Sequence, residues 1–301
     1  MSLVDAVSPR MAELIDPDAE PTRIADGCMF TEGPLWVAAE SAFYFSDMPG
    51  DTRRKWTAEG GVEVVASPSN KVNGTTLDGE GRQVICEHST SSVVRLEHDG
   101  SRTPLATHWD GKELNSPNDV VLRSDGQIYF SDPPYGRWPG FGVERERELD
   151  ICGLFRIDGA GELHLEVSDF NKPNGLCFSV DESVLFVNDT EELNIRRFDV
   201  AADGSLSGGE VVFQMPGPLE YSAGVPDGMK LDAAGNLWCT GPGGVWVVSP
   251  DGEHLGTLRS EAVVGNIAWG DDDFQTLYLC TSDTVHTVRT KVAGNRPVFF
   301  Q

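Results

Sequence analysis

The chain has 301 residues, and its 48 Asp and Glu against 23 Lys and Arg give a formal charge of −25. Such a surplus repels nucleic-acid phosphates and anionic lipid surfaces, which sets aside both as partners. No apolar stretch approaches a membrane span, and residues 1–20 lack a signal-peptide pattern, so the expected location is the cytoplasm. Six cysteines, at 28, 86, 152, 177, 239 and 280, form no C-x-x-C pair and no zinc spacing. Cys86, Cys177, Cys239 and Cys280 sit in apolar runs and read as reduced core thiols.

Residues 1–20 are rich in Asp, Glu and Pro around Met11-Ala12-Glu13-Leu14-Ile15, and read as a loose arm with at most one helical turn. Residues 21–301 read as one all-β domain. Within it a unit recurs: a residue with a side-chain oxygen opens a strand, a polar reversal follows, and an apolar return strand comes after. The openers are Glu32, Asn73, Asn118, Asn174, Asp227 and Asn266, spaced 41, 45, 56, 53 and 39 residues apart. Their return strands contain Phe43-Tyr44, Val84-Ile85, Ile128-Tyr129-Phe130, Val184-Leu185-Phe186, Leu237-Trp238 and Leu277-Tyr278. β-Branched and aromatic runs bounded by Gly and Asp are strand-and-turn chemistry. A period in the forties with paired strands predicts a six-bladed β-propeller with four-stranded blades. Residues 22–31 are expected to supply the outer strand of the last blade, closing the ring. The long segment 133–150 holds Tyr135, Trp138 and Phe141, then the charged run 144–148. Its aromatic half is expected to be a lid over the site, and its charged half a solvated face. A second loop, 215–225, carries Glu220 and Tyr221.

Equivalent positions on six inner strands meet at one end of the channel. The openers therefore predict an inner ring of Glu, Asn and Asp. Asp47, His88, Asp132 and Asp189, on the return strands, are expected to back it as an outer tier. An oxygen-only ring with two carboxylates suits a hard divalent cation such as calcium, and zinc would favour His or Cys. Glu32 and Asp227 would balance the charge. Asn73 and Asn266 are assigned to substrate, because six large side chains cannot all reach one ion. Asp119 should point away from the channel by strand alternation and support a ligand. His88 should bond substrate or orient a ligand. The competing reading is that Asn or Asp before Gly marks only a turn requiring φ > 0. It accounts for Asn73-Gly74, Asn174-Gly175 and Asp227-Gly228, but not for Glu32 in the same register.

The segments Thr31-Glu32-Gly33-Pro34-Leu35-Trp36, Asn115-Ser116-Pro117-Asn118-Asp119, Lys172-Pro173-Asn174-Gly175 and Pro226-Asp227-Gly228 resemble the SMP-30/gluconolactonase (regucalcin-like) family. Cys86-Glu87-His88 and Ser131-Asp132-Pro133-Pro134-Tyr135-Gly136 are similar to its bacterial gluconolactonase branch. The resemblance runs from about Glu20 to Lys291. It implies a metal-dependent hydrolase of sugar lactones with a small-molecule substrate. The ion would be calcium first, with magnesium, manganese or zinc as alternatives. By motif, Glu32, Asn174 and Asp227 match metal ligands, Asn118 a metal or substrate contact, and Asp227 the proposed general base. No counterpart is evident for the substrate-gripping Arg of animal members. Two other functions remain open from sequence: a squid-type phosphotriesterase, which uses a similar carboxylate and Asn set, and a non-catalytic propeller binding a protein partner. Oligomeric state is not assigned.

Overall fold

A computed structural model describes residues 2–217, 223–296 and 299. Six antiparallel four-stranded sheets are arranged as a six-bladed β-propeller. The inner strands are Thr31–Val37, Val72–Leu77, Val120–Leu122, Pro173–Phe178, Met229–Leu231 and Val264–Gly270. Inner and second strands lie between neighbouring blades, so they are buried on both faces and read as continuous apolar runs rather than alternating ones. Thr31–Val37 and Ala42–Asp47 are buried throughout, whereas the outer strand Gly61–Ala66 of the same blade is mostly exposed.

The ring closes as expected: Thr22–Ala25 pairs with Val285–Arg289 as the outermost strand of blade six. Blade five gains a fifth strand, because Val4–Ala6 pairs with the outer strand His254–Arg259. The first twenty residues are docked rather than loose. Met11, Leu14 and Ile15 are buried in a core shared with Leu255, Leu258 and Val288, and Ile15 bridges to Thr290. Apolar side chains outweigh the acidic composition of this segment. Among the described residues no helix is long and apolar enough to cross a membrane.

The reversals follow from their acids. Asp232 accepts the N–H groups of Ala234 and Asn236, both at 2.9 Å, and the Trp238 indole at 3.0 Å. Asp78 does the same for Glu80 and Arg82. A side chain that bonds the backbone two and four residues on makes the turn without help from packing.

The glycines after the openers have another purpose. Gly74, Gly175 and Gly228 are not among the positive-φ residues, so the turn-only reading does not explain them; Gly33 alone of the four has positive φ, at 58°. Each lets one opener touch the next. A Cβ on Gly33 would stand 2.1 Å from Asn73 O, and one on Gly175 would stand 2.1 Å from Asp227 O and 2.9 Å from Met229 N. Gly74 and Gly228 repeat the contact against Asn118 and Asn266. Because the obstructing atoms are backbone, Gly175→Ala is expected to cost about 1–3 kcal/mol and lower the thermal unfolding midpoint by several degrees. An unchanged midpoint would contradict this packing.

Candidate active site

Each opener sits at an irregularity rather than in regular strand. Register shifts fall between Glu32 and Leu35, Val72 and Thr75, Pro173 and Leu176, and Val264 and Asn266. In blades three and five the regular strand begins only after Asn118-Asp119 and Asp227-Gly228. Bulges re-aim side chains, and here they turn the openers inward at one end of the axis. Glu32 is 2% exposed, Asn118, Asn174 and Asn266 3% each, and Asn73 5%, while Asp227 is partly exposed.

The side chains join in two hydrogen-bonded runs, one of Asn266 and Glu32 and the other from Asn73 through Asn118 to Asn174. Asn266 Nδ2 donates to Glu32 Oε2 at 3.1 Å, Asn73 Nδ2 to Asn118 Oδ1 at 2.7 Å, and Asn118 Nδ2 to Asn174 Oδ1 at 2.5 Å. The Asn174 amide lies beside the Asp227 carboxylate and favours its charged form. Asn174 Nδ2 donates to Thr190 Oγ1 at 3.1 Å, and that hydroxyl donates to Pro226 O at 2.7 Å. The Asp227 main chain is fixed on three sides. Its N–H donates to Thr240 Oγ1 at 3.1 Å, and its carbonyl accepts Gly175 N at 3.1 Å and Asn188 Nδ2 at 2.6 Å.

This arrangement concentrates negative charge. Burial, opposed by the Gly33 N–H and the Asn266 amide, pushes Glu32 up to about 7, and the Asp119 charge adds to the shift. Asp227 is pushed well above the usual carboxylate range, by burial first and then by the charges of Glu32 and Asp119. The Lys230 ammonium offsets part of this charge at Glu32 and Asp119, its Nζ lying 4.0 Å from Asp119 Oδ2.

Asp119 does not turn away from the channel. Its Oδ1 accepts Val120 N at 2.9 Å, and its buried Oδ2 has no hydrogen-bond partner among the described residues and faces Lys230 beneath the ring. Strand alternation fails because Asp119 precedes the first regular strand residue. Below it a cavity of about 140 Å³ continues along the axis, lined by Thr75, Thr76, Cys177, Lys230 and, from the tail, Arg296.

The expected outer tier divides. His88 reaches the ring: Nε2 lies 3.1 Å from Asn118 Oδ1 and 3.2 Å from Asn73 Nδ2, and Nδ1 lies 3.0 Å from Phe141 O. Burial lowers it to about 4, so the imidazole is neutral at physiological pH. Asp47, Asp132 and Asp189 do not touch the ring. They accept backbone N–H groups of the segments entering each inner strand: Met29 and Phe30, Asn115 and Ser116, and Asn171 and Lys172. Standing at strand ends, these carboxylates meet unpaired loop donors before they can meet the axis, and they hold the openers in place from behind.

The segment 133–150 lies over the ring. Phe141 O is held by His88, Lys71 Nζ donates to Gly140 O at 3.2 Å, and Phe141 stands edge-on to Phe30 at 6.1 Å. The charged half is a solvated face as expected, with Glu144, Glu146, Arg147 and Glu148 exposed, and two of its arginines tie it to blade three. Arg145 Nε donates to Glu113 at 3.1 Å, and Arg147 Nε to Asn115 Oδ1 at 3.0 Å. Glu220 and Tyr221 lie outside the described residues. Thr190, Asn188 and Lys230 were missed by sequence reasoning. Thr190 had a usable signal, since it follows Asp189 at the return position of blade four.

The fold and this axial polar ring define a six-bladed propeller with a polar site at one end of its axis. A family model described as "SMP-30/Gluconolactonase/LRE-like region" matches residues 30–283. A gluconolactonase of Zymomonas mobilis is 31% identical, over 95% of this chain and 86% of its own length. The structure of XC5397 from Xanthomonas campestris, described as a gluconolactonase, superimposes with a TM-score of 0.87 at 30% identity, covering 95% of this chain and 94% of the other. A calcium-binding protein, regucalcin, from Agrobacterium tumefaciens shares the fold, with a TM-score of 0.75 at 18% identity over 91% of this chain and 95% of the other. The chain belongs to the SMP-30/gluconolactonase/LRE-like family, and its enzyme class is that of a lactonase, a carboxylic-ester hydrolase.

Proposed function

We propose that this protein is a divalent-cation-dependent lactonase acting on sugar lactones, with Asp227 as general base. The observation that carries this reading is the gathering of Glu32, Asn174 and Asp227, from blades one, four and five and far apart in sequence, at one axial ring. Glu32, Asn174 and Asp227 would hold the ion, with Asn118 as a further ligand or a substrate contact. Among the described residues no three His, Cys, Asp or Glu side chains gather as metal ligands. The donor set is accordingly two carboxylates supplemented by amide oxygens, which suits calcium or another hard cation. The donors fit such an ion chemically: two carboxylates that repel each other when unpaired, and an orphaned Asp119 oxygen behind them. The calcium-binding neighbour of the same fold supports calcium as first choice.

When bound, the ion supplies Lewis-acid polarisation of the lactone carbonyl oxygen. The chain supplies the rest. Asp227, rigid at its backbone and facing the open side of the ring, takes a proton from the attacking water. The water oxygen bonds to the acyl carbon, the ring C–O bond breaks, and the proton passes to the departing alkoxide, giving a hydroxy acid. Asn73 and Asn266 flank the ring as substrate contacts, His88 donates its one N–H to Phe141 O and orients Asn73 by accepting from Nδ2, and Asp119 supports the ring from below. The six unpaired thiols, five of them buried, suit a reducing cytoplasm.

The test is proton release in a weakly buffered assay, comparing a δ-aldonolactone with an organophosphate triester. Faster turnover of the lactone is expected. Organophosphate hydrolysis without lactone hydrolysis would replace this reading with that of a phosphotriesterase.

A further inference from the structure

The loop over the ring carries a donor that the fold leaves unused. Tyr135 begins the single turn Tyr135–Arg137, and the backbone beside it is tightly placed. Gly136 N donates to Ser116 Oγ at 2.8 Å, and a Cβ on Gly136 would stand 2.6 Å from Ser116 Cβ and 2.7 Å from His88 Cβ. Arg137 anchors the other side, its Nε donating to Asn115 O at 2.8 Å. The Tyr135 ring is held edge-on to Trp138 at 5.3 Å, and Lys172 Nζ lies 5.1 Å over the Trp138 ring. The phenol thus reaches from blade three toward blades four and five with little freedom.

Among the described residues its buried hydroxyl has no hydrogen-bond partner of good geometry, the Thr190 hydroxyl being the group that approaches it most closely in effect. The polar groups around it are the Thr190 hydroxyl and the Asp227, Asp189 and Glu191 carboxylates. Thr190 already donates to Pro226 and accepts from Asn174, and Asp189 already receives the N–H groups of Asn171 and Lys172. A buried O–H left unpaired is costly, so one that persists in a rigid setting beside a reactive carboxylate marks a position for a ligand acceptor. Burial keeps the phenol neutral, and hence a donor.

We propose that Tyr135 is a specificity-determining residue whose hydroxyl donates a hydrogen bond to a hydroxyl substituent of a polyhydroxylated lactone bound over the opener ring. The assignment rests on the lactonase reading above and adds to it which part of the substrate is recognised. The reacting carbonyl must face the axis, where Asp227 and the metal ligands converge. Tyr135 comes from the covering loop, on the side where ring substituents project.

The experiment is steady-state kinetics of wild type and Tyr135→Phe on a δ-aldonolactone and on δ-valerolactone, the same ring without hydroxyls. The expected result is a KM for the aldonolactone raised about tenfold with kcat nearly unchanged, and no change on valerolactone. A fall in kcat on both lactones would place Tyr135 at the reacting carbonyl and overturn the proposal. So would an equal rise in KM on both, or no effect on either. Wild-type protein that hydrolyses neither lactone overturns the activity itself, and this assignment with it. The thermal midpoint of Tyr135→Phe should equal or exceed that of wild type, since only an unpaired hydroxyl is removed.

Discussion

Asp227→Asn is expected to lower kcat on a sugar lactone by about 10²–10⁴-fold, the usual contribution of a positioned general base, while leaving the fold intact. The substitution keeps the side-chain shape and removes only the negative charge. The three hydrogen bonds that fix residue 227 all involve its main chain, so its position should survive. It also relieves repulsion with Glu32 and Asp119, so thermal stability should hold or rise. Kinetics with matched unfolding curves would separate catalysis from folding. Turnover close to wild type would remove Asp227 from the chemistry.

The second large effect concerns the ion. Stripping the protein with a chelator should lower lactone hydrolysis about 10²-fold or more, because Lewis-acid stabilisation is worth several kcal/mol. Added calcium should restore it. Calorimetry gives an independent readout: the ion should bind with heat that Glu32→Gln diminishes. At a hundredfold excess over its dissociation constant it should stabilise the fold by about 2.7 kcal/mol. Full activity in stripped protein, or binding unaffected by Glu32→Gln, would remove the ion from this ring.

The repeat was legible because blades two to six solve the same local problem. An Asp two residues before a turn N–H makes its own reversal, and the apolar return strands have no other place to go than between blades. Strand closure by residues 22–25 was also readable, from their position ahead of the first opener. The docking of residues 4–15 was not, because a short strand pairing with blade five and three buried side chains give no periodic signal against an acidic background. The outer tier was half readable. His88 reached the ring, but Asp47, Asp132 and Asp189 found nearer donors in loops whose path the sequence does not specify.

What the sequence by itself determined is the register: six oxygen-bearing side chains at one level of one ring, because equivalent positions in repeated units must coincide. What only the tertiary structure decided is where those side chains and their neighbours point. In blade three the regular strand begins only after Asp119, which broke the alternation that would have sent it outward, and the close approach of the openers through Gly33, Gly74, Gly175 and Gly228 drew the ring tight. The covering loop, and with it the unpaired Tyr135 hydroxyl, takes its place from contacts with four different blades. No local pattern could encode those, since each depends on chain segments far apart in sequence.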